Sequence, residues 1–243
     1  MIAVRWVFGV LVALFVAAGS VTPAGRAAER GAMVFPFVKG TAWTYAGTLR
    51  WTVMNSNHVR TSRVRWTSEV VDAFDHGQIA GALLRGGVWD TAWWSPGQQP
   101  GSYLVLRAGA RYYLVCYDAH MARETFRSLK ASRRTTLPAS AQNDPWFSVP
   151  LNAGQVDRAP NYGGRDDTWY SWVVERVVPA QAPVPGVPHA PHPGYLMMYR
   201  TLPDEETVTL VPGIGITAFT YLHHGTVAEA HLHLIAYRLG SGR

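Results

Sequence analysis

Apolar side chains recur at every second position over long stretches of this 243-residue chain. Trp43, Tyr45, Leu49, Trp51 and Val53 share one parity with Gly47, while Thr44, Ala46, Thr48, Arg50 and Thr52 share the other. Side chains of a strand point alternately to opposite faces, so the pattern predicts a strand with one dry and one wet face. Val59 to Phe74 repeats it, with Val64, Trp66, Val70 and Phe74 set against Arg63, Arg65, Thr67 and Glu69. Turn residues Asn55-Ser56-Asn57 and Asp75-His76-Gly77 separate these runs, and Gln78 to Arg85 returns, which makes an antiparallel meander. Ser102 to Arg107 and Arg111 to Tyr117 form a second hairpin across Ala108-Gly109-Ala110. Trp169 to Val178 is apolar at several positions of both parities and is expected to be a central strand. Tyr195 to Thr201 and Thr207 to Val211 follow, joined by a turn over Leu202-Pro203-Asp204-Glu205.

The helical period is clear in one place. From Asp118 to Arg134, Asp118 offers an N-cap and Ala122, Phe126 and Leu129 form a stripe. Arg123, Arg127, Lys130, Arg133 and Arg134 make that helix cationic, and it is expected to pack over one end of the sheet. The reading is therefore mainly β: a curved antiparallel sheet of about ten or eleven strands, in a half-barrel or open barrel, with one main helix.

The C-terminal hairpin is the sharpest local signal. Ile216 to Leu222 and Val227 to Arg238 flank His223-His224-Gly225-Thr226. A two-residue loop at His224-Gly225 would set Leu222 opposite Val227 and Tyr221 opposite Ala228. Phe219, Tyr221, Ala228, Ala230, Leu232, Leu234 and Ala236 then face the core. The other face carries Glu229, His231, His233 and Tyr237, with Glu229 and the two histidines about 7 Å apart in a row. Two imidazoles at His-x-His spacing can bind zinc, with Glu229 as a third ligand or an orienting carboxylate, but a zinc site needs further convergent ligands. A polar outer strand surface explains the same residues without a metal.

Trp89, Trp93 and Trp94 stand within six residues, beside Asp90 and ahead of the turn Ser95-Pro96-Gly97. Tryptophan faces bind sugar rings and apolar ligands, so these three are candidate ligand-binding residues; an ordinary core strand ending in a turn is the commoner reason for such a cluster. Asp166-Asp167 with Glu175 is a further group of acids, capable of acid–base work only if they share a cleft. Adjacent acids in a glycine-containing loop more commonly form turns.

Composition narrows the setting. Arg5 followed by the apolar run Trp6 to Ala18 and then small residues is a secretory signal pattern, placed at 1–28 and leaving 29–243 as a single β-rich domain. The run is short for a membrane span, so no stable span is expected after cleavage; an uncleaved N-terminal membrane anchor is the alternative. Cys116 is the sole cysteine, which excludes an internal disulfide and leaves no cysteine next to the signal for a lipid. Net charge is +6, compatible with anionic envelope partners. Export argues against nucleic acid as a partner. No Gly-x-Ser-x-Gly elbow, His-Glu-x-x-His, phosphate loop or calcium loop occurs.

Three segments carry a resemblance. Val38-Lys39-Gly40-Thr41-Ala42-Trp43-Thr44-Tyr45 looks like the opening Gly-x-x-Trp-x-Tyr strand of uncharacterised exported bacterial β-rich proteins. Val211-Pro212-Gly213-Ile214-Gly215 looks like their late Pro-Gly-x-Gly strand, and Pro150-Leu151-Asn152-Ala153-Gly154 resembles a recurrent turn between. In outline those proteins are similar to periplasmic lipoprotein-carrier half-barrels, where a curved sheet with a helical lid holds acyl chains. The resemblance implies binding or an envelope role rather than catalysis. The expectation is a secreted or extracytoplasmic, non-enzymatic protein without a cofactor, binding a lipid, a glycan or another envelope component. A zinc protein or metallohydrolase and a carbohydrate-binding module are the alternatives.

Overall fold

The computed structural model describes residues 34–115, 119–132, 134, 136–143, 145–162, 164–179, 184–187 and 193–242. Residues 1–33, which include the segment expected to be a signal, and Cys116, Asp118, Arg133 and most of the proline-rich link after Pro179 lie outside the described residues. Half the expected architecture is one meander: β1 (Ala42–Thr52), β2 (Val59–Asp75), β3 (Ile79–Arg85), β4 (Ser102–Ala108), β5 (Arg111–Val115) and β6 (Pro145–Ser148) pair in succession. The other half is a second meander of β7 (Val156–Arg158), β8 (Ser171–Val178), β9 (Gly194–Arg200), β10 (Asp204–Val211), β11 (Gly215–His223) and β12 (Ala228–Arg238). β1 joins β12, giving one twelve-stranded antiparallel sheet with β6 and β7 at its two ends. The strand count exceeds expectation because β6 and β7 are four and three residues long, too short to show a period. β8 pairs with edge strand β7, so it is not central; a bulge between Val174 and Arg176 shifts its parity, so that Trp172 and Val174 before it and Val177 after it belong to one row, and Val177 at the strand's end is exposed.

The sheet curls into a nearly closed barrel. Gly47 helps the bend, since a Cβ there would lie 1.8 Å from the His231 carbonyl oxygen. At the seam β6 and β7 exchange side-chain hydrogen bonds. The Ser148 amide and hydroxyl donate to Asp157 at 3.1 and 2.8 Å, and the Gln155 amide donates to the Ser148 carbonyl at 2.8 Å. Asp157 and Gln155 thus stand in for the backbone of a thirteenth strand. Replacing Asp157 with alanine leaves the Ser148 amide without its acceptor, an expected cost of about 1–3 kcal/mol. Hydrogen exchange checks this: amides of β6 and β7 should lose protection while those of β1 keep theirs.

A twelve-stranded barrel of round section would be hollow. Here the lumen is filled at one end by aromatic rings. Trp43, Tyr45, Leu49, Trp146, Phe147 and Phe219 are each at most 2% exposed, and they pack into one cluster with Phe35 and Phe37 from the segment before β1. Phe35 lies between Trp43 and Trp146, tilted against the first at 5.3 Å and edge-on to the second at 5.9 Å, and the Trp43 indole donates to the Ile214 carbonyl at 2.6 Å.

The helix α1 (Ala119–Ser132) lies on the outer surface of β3 and β4 rather than over the lumen as a lid. Ala122, Phe126 and Leu129 meet Phe74, Leu104, Leu106 and Tyr113, a second cluster formed by the outward parity of these strands. Lys130 pairs with Asp72 at 2.7 Å. Phe74 joins this outer cluster because a bulge after Val70 reverses the parity of β2.

The C-terminal hairpin folds with a wider turn than the tightest one. Tyr221 pairs with Ala230, not Ala228, and Leu222 pairs with Glu229. The slip is two residues, so every side chain up to Leu234 keeps its expected face. Beyond it a bulge at Ile235 reverses the parity. Tyr237, expected outside, is 7% exposed and packs on Trp43 at 6.1 Å, while Ala236 gives up its inward place.

Candidate functional site

The end of the barrel opposite Phe35 is not filled. β10 begins there with Asp204 and Glu206, whose parity continues into Val208 and Leu210, both fully buried. A strand that starts with two acids at core positions has only a cavity for them to face. Cross-strand pairing extends this row: Glu206 stands between Tyr199 on β9 and Tyr221 on β11, Tyr199 pairs with Trp172 on β8, and Trp172 with Asp157 on β7. The loop from β3 to β4 completes the enclosure. Its short 3-10 turn, η1 (Val88–Thr91), is held by Asp90, which accepts from the Tyr103 hydroxyl at 2.6 Å and the Gly101 amide at 3.0 Å. Burial raises the Asp90 carboxyl above its ordinary range, and these two bonds oppose the rise.

The result is a cavity of about 650 Å³, walled by Trp89, Trp93, Tyr103, Trp172, Tyr199 and Tyr221 and carrying Asp157, Asp204 and Glu206. No lysine, arginine or histidine is among the described residues that line it. The three acids differ. Asp157 is engaged at the seam. Asp204 accepts from the Tyr221 hydroxyl at 2.5 Å and contacts His223 Nδ1 at 2.9 Å. Glu206 is deep in the protein yet keeps some accessible surface, because that surface faces the cavity. Burial first, and the neighbouring Asp204 second, push its carboxyl up to about 7; the Trp89 indole beside it works the other way, although its N–H makes no hydrogen bond of ordinary geometry.

The three candidate tryptophans separate. Trp89 and Trp93 both line the cavity. Trp93 is 56% exposed and rests edge-on against Tyr221 and His223, with centroids 6.1 and 4.5 Å away. Trp94 turns to the other side, meets Trp66 edge-on at 5.6 Å, and lines a second hollow with Trp51, Met54 and Val227. The segment is a 3-10 turn and loop, not the core strand that the alternative required.

Glu229, His231 and His233 do share a row on the outer face of β12. Arg50 binds both oxygens of Glu229, at 2.9 and 2.7 Å, and His231 Nε2 lies 4.0 Å from the same carboxylate. Among the described residues no group of three or more histidine, cysteine or acidic side chains is arranged to hold a metal. Asp167 is tied to Arg165 at 2.5 Å, which holds its carboxyl below the ordinary range, and Glu175 sits exposed at a bulge of β8. The two do not face a shared cleft.

Glu206, Asp204, Tyr199, Tyr221 and Trp172 were not singled out by sequence. The signal lay in the parity of Asp204-x-Glu206-x-Val208-x-Leu210, which the turn assigned to Leu202–Glu205 obscured.

No helix among the described residues is long and apolar enough to cross a membrane. No family model matches the chain, and no curated protein sequence does. Comparison with solved structures gives two low-scoring matches. One is of a Bacteroides fragilis protein described as exported, with a YmcC-like fold; it is 9% identical, with a TM-score of 0.41, over 84% of this chain and 98% of that one. The other is of a Parabacteroides distasonis protein described as a lipoprotein, also 9% identical, with a TM-score of 0.40 over the same shares.

Proposed function

We propose that this is an exported, non-enzymatic binding protein that holds an apolar or amphiphilic ligand in the aromatic cavity at the open end of its barrel. The observation that carries this reading is the cavity: about 650 Å³, walled largely by indole and phenol rings with a few polar groups among them. Ligand sites have this size and make-up. Export rests on the charged, apolar and small-residue succession of the first 28 residues. A cell-envelope component is the natural source of such a ligand for a protein delivered there.

The test is uptake of a neutral apolar probe, N-phenyl-1-naphthylamine, by the full chain, together with native mass spectrometry after gentle purification. One probe per chain is expected, with affinity falling about tenfold in Trp93→Ala, since one exposed indole against an apolar ligand contributes about 1–2 kcal/mol. Absence of both co-purifying ligand and probe uptake overturns the reading.

A carbohydrate-binding module is the second reading. Asn143, Asn161 and Thr201 bring amide and hydroxyl groups to the same rings. A glycan array with signal that disappears in Trp93→Ala would favour it.

A further inference from the structure

We propose that the cavity selects a cationic head group, the quaternary ammonium or protonated amine of an amphiphile, with Glu206 as its counter-ion. The inference rests on the binding reading above and specifies the chemistry of the occupant.

Three observations lead there. First, the walls are aromatic, and the only charged side chains among the described residues that line them are the acids Asp157, Asp204 and Glu206. Indole and phenol rings attract cations through the negative potential of their faces, the more so as water is excluded. Second, two of the three carboxylates are already engaged, Asp157 by Ser148 and Gln155, Asp204 by Tyr221 and His223. Glu206 points into the same space with the Trp89 indole as its neighbour and no cationic side chain beside it. A buried carboxylate without a cation is costly, and an incoming ammonium removes that cost. Third, the protein as a whole carries +6, so an acidic cavity runs against the general charge. An anionic head group would meet Glu206, Asp204 and Asp157 with no lining base to receive it; a neutral sugar would leave the Glu206 charge uncompensated. Around Glu206 stand Asp204 on its own strand, Tyr221 on β11, Tyr199 on β9 and Trp89 on the β3–β4 loop, with Asp157 on the same cavity wall and His223 reaching Asp204 from β11. Only His223 among them can become positive, and it is already directed at Asp204.

Isothermal titration of the full chain with three probes of one tail tests this: octyltrimethylammonium, octyl glucoside and octanoate, each below its micelle concentration at pH 8. The ammonium should bind at least tenfold more tightly than the glucoside, and octanoate most weakly. In Glu206→Gln the ammonium should lose that advantage while the glucoside stays within about twofold of its original affinity. If the variant does not fold, the wild-type ranking decides alone, and Glu206→Asp, which keeps the charge, should retain part of the preference. A glucoside that binds as tightly as the ammonium overturns the cationic preference and leaves the binding reading standing. A preference undiminished in Glu206→Gln overturns the role of Glu206. Failure of all three probes to bind overturns both.

Discussion

Replacing Trp43 with alanine should destabilise the protein by about 3–5 kcal/mol, the range for removing a large ring from a sealed core. Trp43 is 1% exposed, touches Phe35 and Tyr237, and donates to the Ile214 carbonyl. Phenylalanine at 43 should still cost about 2 kcal/mol, because it leaves the Ile214 carbonyl without its donor. Trp146 supplies the contrast. It is equally buried and touches four aromatic neighbours, but its indole N–H has no hydrogen-bond partner among the described residues. Phenylalanine there removes an unmet donor along with the lost ring area, so the two effects oppose each other. Denaturant unfolding of the two phenylalanine variants should rank Trp43→Phe well below Trp146→Phe. Equal losses would mean that ring area, not the indole hydrogen bond, decides.

Stability should fall as pH rises from about 4.5 to about 7, and Glu206 should be the cause. Its carboxyl, ordinarily near 4.5, is pushed up to about 7 in the folded protein. Between those values the unfolded chain has released the proton and the folded chain still holds it, so folding is favoured at the acidic end. The contribution is complete below the unfolded value and is lost as pH rises through the folded one. Its size is no more than about 3 kcal/mol, and less to the extent that cavity water solvates the carboxylate. Glutamine at 206 cannot titrate, so thermal melts of Glu206→Gln should be flatter than wild type across this window. Parallel pH profiles for the two proteins would show that Glu206 ionises as freely in the barrel as in water. A bound cation should depress the same carboxyl and steepen its own affinity between pH 6 and 8, which links the stability curve to the head-group preference.

How far the sequence discloses this molecule depends on the length over which a period runs. β1, β2 and β12 announce their faces through nine or more residues, and Trp43, Tyr45, Leu49, Phe219 and Leu232 stand where alternation puts them. Bulges break the inference locally: the one after Val70 sends Phe74 to the outer cluster, and the one at Ile235 brings Tyr237 inside. Strands of three or four residues have no period to detect, so β6 and β7 escape notice. The site shows the same limit. Trp89 and Trp93 attract attention by composition, but Glu206 becomes meaningful only once Tyr199, Tyr221 and Trp172 arrive beside it from three other strands. An acid at a core parity is the residue that local rules misread, since propensity assigns it to the adjoining turn.

Asp157 and Gln155 have a consequence for life in company. A strand whose backbone groups are open will accept a strand from another molecule, and polymerisation by sheet extension begins in this way. In this barrel the two terminal strands are short, and the backbone groups of Ser148 on β6 are taken by the side chains of Asp157 and Gln155, so a passing chain meets an interrupted ladder. No internal disulfide braces this chain, so protection from sheet extension falls to a single closure line, and variants that open it should form fibres before they lose their fold.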